Sequence, residues 1–141
     1  MKVEQTEMTT ILIVEANALI RRSFREILCR QFPSVSVEEA EDMGEAMEKV
    51  QNLRPALIFV DIKVRGGHGL SLTKKIKSQF PSTTIAMITP YDLPEYRKAA
   101  VEWGANFFLS KCCSSRKEIV EVAHSVISKK SKTNTIHTIL P

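Results

Sequence analysis

Three short runs of apolar residues punctuate the chain: residues 10–14 (TILIV), 56–60 (ALIFV) and 84–88 (TIAMI). They are rich in β-branched residues, lack polar alternation and are too short for helices, so each reads as a strand buried on both faces. Residues 35–40 (VSVEEA) read as a half-exposed strand and 106–109 (NFFL) as a fifth. Between them the apolar spacing turns helical. Over residues 18–32, Leu19, Ile20, Phe24, Ile27 and Leu28 recur at helical intervals, with Asn17 as N-cap and Pro33 as the stop. Residues 43–53 predict a short helix with Ala46, Met47 and Val50 on one side. A loop carrying Gly66, Gly67 and Gly69 leads into a helix over 70–79 that stops before Pro81. Pro94 suits the first turn of a helix reaching about Trp103, with Gly104 as its terminator, and residues 115–128 make the last helix.

Strands alternating with single helices imply parallel pairing with helices on both sheet faces. The expected fold is α/β: a flavodoxin-like (βα)₅ with a five-stranded, doubly wound parallel sheet in order 2-1-3-4-5. A chain of 141 residues suits one such domain and buries a core without staples. The expected organisation is an N-terminal tail over 1–8, the domain over 9–128, and a basic tail or linker over 129–141. Doubly wound sheets place their sites at the carboxyl ends of the strands, beside the switch point between strands one and three. The residues that fall there are Glu15 and Ala16, Asp61, Thr89 and Pro90, and Lys111.

Charge sharpens this picture. The net +4 is not spread evenly: residues 1–110 hold 14 Lys/Arg against 14 Asp/Glu, and residues 111–141 hold 6 against 2. The stretch SKKSKTNT lacks aromatics and helical stripes, so it reads as a solvated tail, and direct nucleic-acid binding by the domain is not expected. No apolar run approaches the ~20 residues that a bilayer requires, and residues 1–10 carry no apolar signal core. A cytoplasmic protein without membrane contact is therefore expected. Cys29, Cys112 and Cys113 show no disulfide framework and fit free thiols in a reducing compartment.

A strand-end carboxylate faced by a lysine and a threonine is chemically suited to accept a phosphoryl group, with the Asp61 oxygen as nucleophile. Such transfer rests on positioning and charge neutralisation. Lys111 would neutralise one phosphoryl oxygen, the Thr89 hydroxyl would donate to another, and the backbone N–H groups of Ile62 and Lys63 would add donors. A Mg²⁺ ion would ordinarily bridge acidic side chains and the phosphoryl group.

Over about residues 9–128 the sequence resembles the receiver domains of two-component response regulators. ILIVEANALIRRSFREIL is similar to a receiver's first strand and helix, and ALIFVDIKVRGGHGLSL to its acceptor strand and loop. TIAMITPYDLPEYRKAAVEWGANFFLSK is similar to the segment from switch threonine to site lysine. The resemblance implies Asp61 as phospho-acceptor, Thr89 as switch hydroxyl, Lys111 as phosphate-binding lysine and Phe108 as the reorienting aromatic. It implies a Mg²⁺ site of Glu15, Asp61 and the Lys63 backbone carbonyl. It also implies a histidine kinase or phosphotransfer protein as donor, and a partner, output domain or second copy on the face of the fourth helix, fifth strand and fifth helix. On this reading the domain is a signalling module, not an enzyme.

The sequence departs from the family pattern at several points. Ala16 replaces the second acid after the first strand, the direct metal ligand, so the metal site is weak or absent. Pro90 has no N–H where the family has a phosphoryl donor. Cys112 stands where a proline, often cis, is usual. Val64-Arg65-Gly66 replaces Met-Pro-Gly, and His68 replaces an acid. These departures keep open a pseudo-receiver that binds partners without phosphorylation. A flavodoxin-like cofactor enzyme would need a phosphate-cradling loop after the first strand, and Glu15 there would repel phosphate. His68 reads as a solvated loop residue and Cys112–Cys113 as an inert pair. Tyr96 and Trp103 are open between partner anchors and core packing.

Overall fold

The computed structural model describes residues 9–90, 93–110 and 116–128. Its elements run β1 (Thr10–Val14), α1 (Ala18–Gln31), β2 (Ser36–Ala40), α2 (Met43–Leu53), β3 (Leu57–Asp61), β4 (Lys63–Val64), β5 (Gly67–His68), α3 (Gly69–Gln79), β6 (Thr84–Thr89), α4 (Pro94–Glu102), β7 (Phe107–Ser110) and α5 (Arg116–Ile127). Five strands form one parallel sheet in order β2-β1-β3-β6-β7, which is the predicted 2-1-3-4-5 winding once the β4–β5 ribbon is set aside. The expected tails over 1–8 and 129–141 lie outside the described residues.

The period-two geometry of the strands divides the core. Ile11, Ile13, Leu57, Phe59, Ala86 and Ile88 point to the face covered by α1 and α5, where Phe24 meets Phe59 edge-on at 5.4 Å. Leu12, Val14, Ile58, Val60, Ile85 and Met87 point to the other face, packed under Ala46 and Val50 of α2, Leu72 and Ile76 of α3 and Ala100 of α4. Strand β3 is buried along its whole length, whereas the edge strands β2 and β7 are only partly covered. This is why the first three runs read so clearly and the other two did not.

The punctuation holds. Asn17 caps α1 through its side chain, which accepts from Leu19 N at 2.9 Å and Ile20 N at 3.1 Å. Asp42 caps α2 by accepting from Glu45 N at 2.8 Å, and Glu45 reaches back to Glu41 N at 2.9 Å. Pro94 opens α4, and Gly104, at φ +103°, follows its C-cap Trp103. One expectation fails: Leu19 is 72% exposed. Ile20, Phe24, Ile27 and Leu28 form the inward stripe, and Leu19 sits about 100° away from Ile20 on the same turn.

Candidate functional site

The carboxyl ends of the central strands set the site. In the ladder Val14 lies beside Val60, so Glu15 and Asp61 follow on adjacent strands one step beyond. Asp61 pairs with Ile88, placing Thr89 one step further along β6, opposite Ser110 of β7. Lys111 follows directly but lies outside the described residues, as do Cys112 and Cys113. Glu15, Asp61 and Thr89 thus share one rim of the sheet, and all three are buried, at 1%, 4% and 0% exposure.

Hydrogen bonds fix the two carboxylates. The Glu15 N–H donates to Ala40 O at 3.0 Å, extending the β1–β2 ladder, and Glu15 Oε2 accepts from Asn17 N at 3.0 Å. The Lys63 N–H donates to Asp61 Oδ1 at 3.2 Å. The Ile62 N–H was expected to face the phosphoryl group. Instead it donates to Ile88 O at 2.9 Å, because the β3–β6 ladder continues one residue past the strand. It is therefore spent on the sheet. Pro90 is exposed at the bend after Thr89.

The stretch beyond Asp61, read as a loop, folds into the β4–β5 ribbon, pairing Lys63 with His68 and Val64 with Gly67. Gly66, at φ +91°, makes its tight turn. The ribbon docks on the start of α2: Met43 N donates to Arg65 O at 3.0 Å, and Arg65 Nη1 lies 3.4 Å from Glu41 Oε1. His68 is exposed at the N-cap of α3 without a side-chain capping bond. Phe108 is buried, with the Arg97 guanidinium stacked 5.0 Å from its ring centroid. Tyr96 packs against the core, and Trp103 carries the Lys74 ammonium 5.2 Å from its ring.

Two residues important to this geometry have roles that the sequence did not reveal. Gly69 starts α3 directly against the end of β3: its N–H donates to Ile62 O at 2.8 Å, and any Cβ there would collide with the Asp61 carbonyl oxygen. Arg21 grips the β1–α1 loop from behind, through partners on β2 that sequence spacing does not reveal.

Among the described residues no group of three or more His, Cys, Asp or Glu side chains is arranged to hold a metal. The rim supplies the carboxylates of Glu15 and Asp61, and Ala16 supplies none. Mg²⁺ is commonly held through one or two carboxylates, with waters and phosphate oxygens completing its octahedron, so Glu15 and Asp61 are the side chains of this rim that would hold it.

Residues 11–124 match the family model described as response regulator receiver domain. The chain belongs to this family. The oxygen regulatory protein NreC of Staphylococcus haemolyticus is 35% identical over 102 residues, covering 72% of this chain and 47% of that protein. A cyclic di-GMP phosphodiesterase of Thermotoga maritima is 32% identical over 117 residues, covering 83% of this chain and 31% of that protein. The chain thus spans less than half the length of these relatives. Among solved structures, the receiver domain of the response regulator NarL from Mycobacterium tuberculosis superposes with a TM-score of 0.78 at 25% identity, covering 89% of this chain and 100% of that one. Receiver domains are in general signalling domains of two-component systems that interact with histidine kinases and output domains, and they typically bind Mg²⁺ at the phosphorylation site. No helix among the described residues is long and apolar enough to cross a membrane.

Proposed function

We propose that this receiver accepts a phosphoryl group on Asp61 from a histidine kinase or phosphotransfer protein. The observation that carries the reading is the burial of a carboxylate at the end of the central strand, on one rim with Glu15 and Thr89. The Asp61 oxygen attacks the phosphorus of a phosphohistidine. The O–P bond forms as the P–N bond breaks, and the released imidazole nitrogen takes up a proton from water. Burial keeps competing water away from the acceptor and strengthens local electrostatics. The Thr89 hydroxyl donates to a phosphoryl oxygen, and Lys111 neutralises a second. Lys63, two residues beyond Asp61 and exposed, supplies a further cation where Ala16 weakens metal binding.

Thr89 and Phe108 then shift, and the face of α4, β7 and α5 changes its affinity for a downstream protein, an output domain or a second copy. This is a local charge event biasing a bistable surface. The stacking of Arg97 on Phe108 supports it, because the aromatic is held inward by a side chain of that face. Residues 9–128 form the signalling unit, without substrate turnover, working in the cytoplasm where such kinases present their phosphoryl groups. The test is intact mass after incubation with acetyl phosphate and Mg²⁺. The expected result is one added phosphoryl group in the wild type and none in Asp61→Asn. An unmodified wild type at high donor concentration points to the pseudo-receiver.

A further inference from the structure

Arg21 lies on the first turns of α1 and turns its guanidinium back across the β1–α1 loop. Its Nε donates to Glu39 Oε1 at 2.8 Å. Its Nη1 donates to Glu15 O at 2.8 Å and reaches Ala16 O at 3.5 Å. The Arg21 side chain is only 13% exposed, against 31% for Glu39. Glu39 is itself fixed on the edge strand β2: Arg25 Nη1 donates to its Oε2 at 3.2 Å and to Val37 O at 2.8 Å. One planar fork therefore joins a sheet-edge carboxylate to the two carbonyls that flank the site's acidic corner. A guanidinium suits this because its donors sit in a rigid plane, whereas an ammonium is a point charge.

The loop between β1 and α1 is short. Its far end is tied by the Asn17 cap, and the Glu15 carboxylate folds onto the Asn17 N–H. With alanine at position 16, no second acid is available to organise this loop around a metal from the inside. We propose that Arg21 is a positioning residue that organises it from the outside. By pinning the Glu15 and Ala16 carbonyls to Glu39, it holds the Glu15 carboxylate on the acceptor rim. The proposal rests on the reading of Asp61 as acceptor for its functional consequence, and on the hydrogen bonds alone for its structural one.

The test uses the full chain and three variants: Arg21→Met, Arg21→Lys, and the exchange Arg21→Glu/Glu39→Arg. Two readouts are taken at a temperature where circular dichroism shows every variant fully folded. One is the initial rate of acetyl-phosphate modification by intact mass. The other is hydrogen exchange at the Asn17 amide by NMR. Arg21→Met is expected to slow modification by about ten-fold or more, the scale seen when outer partners of a functional site are removed, and to speed Asn17 exchange. Arg21→Lys rescues neither. The exchange variant keeps opposite charges at positions 21 and 39, but it sets a second cation beside Arg25 and loses the carbonyl contacts, so its rate stays low.

Wild-type rate and Asn17 exchange in Arg21→Met, or restoration of both by the exchange variant, overturns the proposal. A wild type that takes no phosphoryl group sinks the acceptor reading by itself, and Asn17 exchange alone then decides the clamp. Should Arg21→Met not fold, the exchange variant decides.

Discussion

Replacing Gly69 by alanine tests how closely α3 is set against Asp61. A Cβ at this position meets backbone, not a flexible side chain: the Asp61 carbonyl oxygen first, then Ile62 Cα at 2.9 Å and the Asp61 carbonyl carbon at 3.0 Å. Real Cβ atoms do not approach so near, so either α3 retreats or the end of β3 moves. Retreat breaks the 2.8 Å bond from Gly69 N to Ile62 O, which costs about 1 kcal/mol net. Forced displacement in a packed core adds about 1–3 kcal/mol. Alanine's helix propensity returns up to about 1 kcal/mol, and less at the first helical position than in an interior. The balance is a loss of about 2 kcal/mol. It is read from the urea midpoint at unchanged slope. On the proposed function, acetyl-phosphate modification at Asp61 should slow as well, since the displaced atoms belong to Asp61 itself. A midpoint within about 0.5 kcal/mol of wild type, with normal modification, refutes the reasoning, because changes of that size are typical of neutral surface sites.

Three further outcomes follow from other parts of the molecule. Burial alone raises the Glu39 carboxyl, but the Arg21 hydrogen bond and the charges of Arg25 and Arg21 outweigh it and hold the group below its ordinary value of 4.5. Its contribution to stability is therefore full above 4.5 and is lost as pH falls through the lower folded value, so urea midpoints of Glu39→Gln should show a shallower acid decline than wild type. Burial pushes the half-buried Lys77 ammonium down, yet it donates to Thr83 O at 2.6 Å, Asn106 Oδ1 at 3.1 Å and Pro81 O at 3.3 Å. Lys77→Met should cost about 1–3 kcal/mol by orphaning these acceptors, while leaving Asp61 modification unchanged, because the cluster lies at the opposite end of β6. Ala16→Asp should tighten Mg²⁺ binding, measured by calorimetry, through one added carboxylate; unchanged affinity would mean that the loop does not aim position 16 at the rim.

The apolar runs revealed β1, β3 and β6 because central parallel strands are buried on both faces and leave no polar alternation to confuse them. Their regular alternation with helices then dictated the sheet order, which in turn brought Glu15, Asp61 and Thr89 to one rim. The β4–β5 ribbon was not legible. Two residues per strand give no period, and its stability comes from docking on α2 through Met43 and Arg65. Leu19 misled because apolar spacing does not say where a helix overhangs its sheet. Arg21 and Glu39 stand 18 positions apart and look like ordinary surface charges until β1, α1 and β2 are assembled. Gly69 was visible as a loop glycine, but its reason, the approach of α3 to the Asp61 backbone, exists only in three dimensions.

The central claim is that one pocket at the sheet's upper rim gathers Asp61, Thr89 and Lys111 around a single phosphoryl group. A crystal structure of the receiver treated with beryllofluoride tests it most directly. The account predicts the analogue bonded to an Asp61 oxygen, with Thr89 Oγ1 and Lys111 Nζ within hydrogen-bonding reach of its fluorines. An empty Asp61 at saturating beryllofluoride, or a Lys111 ammonium directed away from the bound group, would contradict it.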